Sequence, residues 1–265
     1  TTTLFPVDYF GEAAYLSQSG QLYLEAAIAA HGRVYDFGPV FRAERSKTRK
    51  HLTEFWMMDA EMAYVEHEGN LRLQEDLVMA IIDRVLSERR RELQDLERDL
   101  ERLEAIRAPF PRVTHAEIVS ILQGKGSEIT LDTDLGAPDE TLLAELYQQP
   151  LFITEWPLPI KAFYMKEHPE KPGIALTADL MAPEAYGELI GGSQREDDYE
   201  VLRARMEGEN ISLEQFQWYL DLRRYGTIPH SGFGFGLERI VSWISGVRHI
   251  RETIPFPRML NRMRP

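Results

Sequence analysis

The chain has 265 residues, is 43% hydrophobic and contains no cysteine, which leaves room for a large buried core and excludes a disulfide framework or a thiolate zinc site. No apolar run is long enough to span a membrane, and the composition fits a soluble, cytoplasmic protein. A net charge of −13 argues at first sight against a nucleic-acid partner, but affinity for a phosphate backbone depends on where Lys and Arg are placed rather than on their total.

In chain order, residues 1–65 carry the first strands and a long hairpin. Gly38-Pro39-Val40-Phe41-Arg42-Ala43-Glu44 runs into a polar tip, and His51 to Glu61 returns with Asp59 and Glu61 alternating as on one face of a strand. Five cationic residues, Arg42, Arg45, Lys47, Arg49 and Lys50, fall within nine positions. Cations for phosphates, an acceptor for an amino group and the Phe55 ring for a base are what a nucleoside triphosphate requires; singly, each also suits a solvated loop. From about Asn70 to Ile106 the pattern predicts a long helical stretch, with Leu86, Leu93, Leu96, Leu100 and Leu103 as a core-facing stripe that ends before Pro109 and Pro111. It reads as a helical insertion, about 70–108, in a single α+β domain. Gln123 to Ser127 and the acidic loop after it form a surface excursion, with glycine too sparse for a phosphate cradle.

Beyond Pro150 the expected strands are Leu151–Trp156, Ile160–Met165, Ile174–Leu180 and Glu188–Ser193. Asp179 and Glu188 end and begin neighbouring strands, so their carboxylates could share a hard cation with phosphate oxygens, although paired acids are also common on solvated sheets. Ser212 is the expected cap of a helix through about Leu222, with Gln215 completing a capping box. Gly232-Phe233-Gly234-Phe235-Gly236-Leu237-Glu238-Arg239 follows. Glycine at alternate positions strips one face of a strand so that a flat ligand can approach bare backbone, and the arginine sits at the strand-to-helix junction.

Three of these segments, Phe41-Arg42-Ala43-Glu44 through Phe55, Asp179 through Gly191-Gly192-Ser193-Gln194-Arg195, and Gly232 through Arg239, resemble in order motif 2, the acidic strand and motif 3 of class II aminoacyl-tRNA synthetases. The closing Phe256-Pro257-Arg258 and Arg262-Met263-Arg264-Pro265 are similar to the aspartyl/asparaginyl branch of that family. The resemblance covers nearly the whole chain and implies an antiparallel sheet flanked by helices. It implies the chemistry as well: an amino acid is joined to ATP with Mg²⁺, then transferred to tRNA by a homodimer.

By the same resemblance, Arg42 and Arg239 are the catalytic residues. Arg42 holds the α-phosphate and the substrate carboxylate, and Phe55 and Arg239 sandwich adenine. His51 and Arg239 reach the γ-phosphate, and Glu44 lies near the base or the tRNA end. Lys50 and Gly236 complete the ATP site. Asp179 and Glu188 take Mg²⁺, with Glu188 also facing ATP, and Ser19, Gln21, Asp59 and Arg195 frame the amino acid. Aspartate-specific members carry Gln-Leu-aromatic-Lys on the first strand-to-helix turn. This chain has Gln21-Leu22-Tyr23-Leu24, so Leu24 replaces the lysine. Arg195 and Asp59 then sum to zero, which suits asparagine, since a substrate carboxylate would be buried without a second cation. Asparagine-specific members mostly have Glu where Asp59 stands. An aspartyl enzyme, an ammonia-using asparagine synthetase of the same fold and a catalytically silent paralogue remain as alternatives. The anticodon-binding barrel, the dimer-forming motif 1 and the loop that holds the substrate α-amino group have no counterpart in the sequence, which is therefore read as a segment of a longer protein.

Overall fold

The computed structural model describes residues 4–264. A two-stranded hairpin, β1 (Pro6–Tyr9) with β2 (Glu12–Tyr15), precedes helix α1 (Gln21–His31). The long hairpin is β3 (Arg33–Phe41) and β4 (Glu54–Ala63), joined by residues 42–53. Helices α2 (His67–Glu88), α3 (Arg90–Asp95) and α4 (Leu100–Glu104) follow, then β5 (Arg112–Thr114), α5 (His115–Gln123) and α6 (Ala137–Leu146). The remaining elements are β6 (Leu151–Pro157), β7 (Ile174–Ala182), β8 (Gly187–Gln194), α7 (Tyr199–Gly208), α8 (Gln217–Arg224), β9 (His230–Gly236) and α9 (Leu237–Ser245).

Seven strands form one sheet in the order β3-β4-β9-β8-β7-β6-β5, antiparallel except for the β5–β6 pair. The fold is therefore α+β, as expected, with one parallel strand at its far edge. The register sorts side chains onto two faces, because residues directly opposite in an antiparallel pair point the same way. Ala60, Phe233, Phe235, Ile190 and Leu180 lie on one face and form the main core with Leu71, Val78 and Ile82 of α2. Asp36, Asp59, Gly234, Gly191 and Asp179 follow one another across the other face, strand by strand. The acids and glycines of one face are thereby segregated from the apolar core by the two-residue period of the strands.

Four local expectations are revised. The stretch from Asn70 to Ile106 is three helices rather than one: the chain turns at Arg89 and again at Glu97, whose φ is +56°. The breaks let Leu93, Leu103 and Ile106 all reach the core while Leu96 stays exposed, and α2 lies directly against the sheet. Ile160–Met165 is not a strand. Pro157 and Pro159 supply no N–H, a single 3-10 turn spans Leu158–Ile160, and Met165 makes one isolated bridge to Arg195. The helix assigned to Ser212 begins at Gln217: Ser212 Oγ accepts the Gln215 N–H at 3.4 Å, but the next residues form a turn that sets Phe216 edge-on against Phe163. Lastly, the alternating glycines of β9 are not an open face. A Cβ at Gly232 would overlap the Glu61 carboxylate and the Ala60 carbonyl oxygen, and one at Gly234 would overlap Asp59. The bare positions make room for the carboxylates of β4.

A Gly232→Ala substitution must displace backbone as well as a buried carboxylate, and should destabilise the protein by about 3 kcal/mol in denaturant unfolding. Gly38→Ala, where an added methyl meets nothing within 4 Å, should stay within about 0.5 kcal/mol of the parent.

Candidate active site

The end of the face at which the resemblance sets the amino acid is assembled from α1, β4, β8 and β9. Glu61 is pushed up to about 7 by burial, with the neighbouring Glu25 charge adding and Arg195 opposing. Arg195, one residue past β8, donates to both Glu61 oxygens, through Nε at 3.1 and 3.3 Å and through Nη2, while its Nη1 donates to Ser193 Oγ at 2.6 Å. Arg195, expected to frame the amino acid together with Asp59, is thus itself paired with Glu61. Both acids project from β4 on the same face, and the register, which sequence does not reveal, sets Glu61 opposite Gly232, beside Ser193 of β8.

Asp59 is held differently. Its Oδ2 accepts from Ser19 Oγ and from the Gly20 N–H, both at 2.8 Å, at the start of α1, where unpaired N–H groups and the helix dipole favour an anion. Gly20 is required there because a Cβ would run into Asp36. Asp36 itself is raised by burial and by the charge of Asp59. Gln21 N–H donates to Ser19 Oγ at 3.1 Å, so Ser19, Gln21 and Asp59 form one hydrogen-bonded corner, and Leu24 lies one turn along the same helix.

At the other end, Phe55 packs against the backbone of Gly236, whose added Cβ would stand 3.4 Å from the ring. The Arg42 guanidinium lies over the Phe55 ring, 5.3 Å from its centroid. Arg42 Nε is buried without a hydrogen-bond partner among the described residues. Arg239, in the first turn of α9, donates to the Glu188 carbonyl at 2.8 Å and the Lys50 carbonyl at 3.0 Å. Lys50 pairs with Glu140 of α6. His51 Nδ1 meets the Thr48 hydroxyl, and burial together with the Arg239 charge lowers its pKa below the ordinary imidazole value. Glu44 is half-buried in the same loop, where its charge works against that lowering.

Asp179 and Glu188 do converge. A Cβ built on Gly191 would lie 2.7 Å from Glu188 Oε1 and 3.9 Å from Asp179 Oδ1, so both carboxylates overhang that glycine. Burial pushes Asp179 up to about 7, with Glu188 adding, against Lys161. Lys161 Nζ is 2.6 Å from Asp179 Oδ2 and 3.6 Å from the centroid of the Trp156 ring. No group of three or more His, Cys, Asp or Glu side chains is placed to hold a metal among the described residues. Two carboxylates suit Mg²⁺ only where phosphate oxygens and waters complete the shell, and this pair fits that use. From Asp59 to Asp179 is three strand spacings, about 14 Å, bridged by Gly234 and Gly191.

Glu61, Asp36, Lys161 and Glu25 join the site unassigned from sequence. For Glu61 the signal was present in its two-residue offset from Asp59; Lys161 and Glu25 carried none, since each acts through a contact between distant segments.

The description "tRNA synthetases class II (D, K and N)" belongs to the family whose sequence profile matches residues 1–260. The asparagine–tRNA ligase of Desulforamulus reducens is 57% identical over 265 residues, covering 100% of this chain and 62% of the relative. That of Pelotomaculum thermopropionicum is 56% identical with the same coverage. Among solved structures, the asparaginyl-tRNA synthetase of Pyrococcus horikoshii complexed with asparaginyl-adenylate superposes with a TM-score of 0.97 at 47% identity, over 100% of this chain and 61% of that one. The chain thus spans about three fifths of the length of the relatives it matches. With the three motifs on one face of a seven-stranded, mostly antiparallel sheet and the family match running from residue 1 to residue 260, the chain belongs to the class II tRNA synthetases of the D, K and N group.

Proposed function

We propose that the chain is the catalytic part of an enzyme that joins asparagine to ATP, releasing pyrophosphate, and passes the asparaginyl group from the adenylate to the terminal adenosine of its tRNA. The observation that carries this reading is the charge at the amino-acid end. Arg195 is already paired with Glu61, Asp59 and Asp36 add further carboxylates, and Leu24 occupies the place of a lysine. An amide can donate to Asp59 and accept from a free N–H of Arg195, whereas a substrate carboxylate would meet acceptors and a guanidinium whose charge is compensated. The names of the relatives and the adenylate in the Pyrococcus horikoshii structure support the same substrate.

The chemistry is an in-line displacement at the α-phosphate by the asparagine carboxylate, with pyrophosphate leaving, so the protein's task is positioning and charge neutralisation. Adenine lies on Phe55 against the bare backbone of Gly236, with Arg239 on its open face. For this the Arg42 guanidinium turns from the ring to the α-phosphate, bringing an unpartnered donor to the developing charge. Asp179 and Glu188 would hold Mg²⁺, which when bound neutralises phosphate oxygens. His51 and Lys50 line the triphosphate's exit. Arg45, Lys47 and Arg49 stand exposed at the hairpin tip, suited to the phosphates of the tRNA end. The edge strand β3 exposes Tyr35 and Phe37, which supports a homodimer. A cytoplasmic location fits a chain with no cysteine in which no helix among the described residues is long and apolar enough to cross a membrane.

In ATP–pyrophosphate exchange the complete protein should prefer asparagine to aspartate by a factor of about 10³ or more, and Leu24→Lys should narrow the gap. Equal or better exchange with aspartate would overturn the reading. Glu188→Gln should abolish Mg²⁺-dependent exchange, and activity within a few-fold of the parent would remove the metal assignment. His51 starts below its ordinary pKa, so a bound triphosphate should raise it and draw in a proton. Calorimetry of ATP binding near pH 7 in buffers of different ionisation enthalpy should show more proton uptake in the parent than in His51→Gln, and ATP affinity should strengthen more steeply in the parent as pH falls.

A further inference from the structure

Glu25, in the second turn of α1, has a side chain with no solvent exposure and four partners from three elements. Tyr219 OH of α8 lies 2.9 Å from both of its oxygens, Arg223 Nη2 donates at 2.5 Å and His230 Nε2 of β9 is 3.0 Å away. The fourth partner is Gln21, whose Nε2 donates to Glu25 Oε1 at 3.1 Å. Helix geometry brings positions i and i+4 together, so this contact is local to α1 while the other three pin it to the rest of the domain. Burial by itself would protonate Glu25. Arg223 and His230 outweigh burial and hold the group well below the usual carboxylate range.

A carboxylate with that surround can only accept, so the end of the Gln21 amide that faces it must be the NH₂. The carbonyl oxygen is then on the far side of the planar group. Gln21 is fixed at its backbone too, because its N–H donates to Ser19 Oγ and Ser19 in turn donates to Asp59. From this geometry we infer that Glu25 is a positioning residue, locking Gln21 so that it presents its carbonyl oxygen as an acceptor to the N–H donors of the amino-acid substrate. The inference rests on the substrate reading above. A fixed acceptor receives the substrate's N–H donors without a further ordering cost, whereas a Gln21 free to flip would also turn its NH₂ toward them.

The test is steady-state exchange kinetics on the complete protein with Glu25→Asp, Gln21→Ala and the double variant. Aspartate keeps the buried charge for Arg223 and His230 but is one methylene too short for Gln21. Glu25→Asp should raise the KM for asparagine about tenfold and leave the KM for ATP within about twofold, with kcat less affected than KM. Gln21→Ala should do the same, and the double variant should match Gln21→Ala alone. Tyr219→Phe, which loosens the network without touching the Gln21 contact, should lower the thermal midpoint and leave the asparagine KM unchanged. Multiplying effects in the double variant, equal losses for ATP and asparagine, or a KM rise in Tyr219→Phe would each reduce Glu25 to a scaffold. An unchanged asparagine KM in Gln21→Ala would overturn the inference even if Glu25→Asp did not fold. Failure of the parent to exchange with asparagine overturns the substrate reading and the inference together, whereas exchange by the parent with unaltered variants overturns the inference alone.

Discussion

Arg195 and Glu61 form a buried ion pair on which the geometry of the proposed amino-acid end depends. Both side chains are almost wholly withdrawn from water, and each would be costly there alone, by about 3–5 kcal/mol if its partner were removed. Keeping them requires a cross-strand vacancy, and Gly232 supplies it. It also requires that the remaining guanidinium N–H groups be directed, and Ser193 Oγ takes one. Beneath, Asn70 of α2 donates its side-chain amide to the Gly232 carbonyl at 3.0 Å, so the backbone under the pair is tied to the helix on the far side of the sheet. On the proposed reading the site tells an amide from an acid, and it gains from charges that are already compensated and cannot shift to meet the wrong ligand.

The same economy of space runs along the sheet. Gly20, Gly232, Gly234 and Gly191 each border a carboxylate, Asp36, Glu61, Asp59 and Glu188 respectively. On the opposite face Gly192 is hemmed in by Gln74 of α2 and by Phe233, so close packing of helix on sheet and the polar floor of the site are two sides of one glycine-rich stretch. Glu25 extends this logic into the helices: through Tyr219, Arg223 and His230 it carries the position of α1 to α8 and to the start of β9. Around Arg195, Glu61, Asp59 and Glu25 the buried polar groups are thus paired with one another, while Phe233, Phe235, Ile190 and Trp243 on the core side supply the apolar burial.

Much of this was legible in the chain because the relevant signals are periodic or local. Alternation of glycine marked β9, the cationic tip marked the β3–β4 hairpin, and Asp179 and Glu188 stood at the ends of strands that do neighbour each other. What escaped depended on register and on long-range contact. Asp59 and Glu61 are equivalent in a two-residue period, so choosing the partner of Arg195 needs the alignment of β4 with β9 and β8. The glycines of β9 read as an opening for a ligand, since nothing in the sequence says that the neighbouring strand fills two of the three positions with its own acids. Ile160–Met165 has the composition of a strand and lacks a partner for one, and the leucine stripe of 70–106 keeps its spacing across breaks at Arg89 and Glu97 that serve to bury Leu93 and Leu103.

The central claim is that the site is built in advance around Arg195–Glu61 and the glycine row, and reads its substrate along about 14 Å of one sheet face. A crystal structure of the complete protein with a non-hydrolysable asparaginyl-adenylate analogue tests it directly. The account predicts the base on Phe55 against Gly236, the side-chain amide within hydrogen-bond reach of Arg195 and Asp59, and Arg195 still paired with Glu61 after a displacement below about 1 Å. A ligand bound away from the Gly191–Gly234 row, or an Arg195 that leaves Glu61 to bind it, would contradict it.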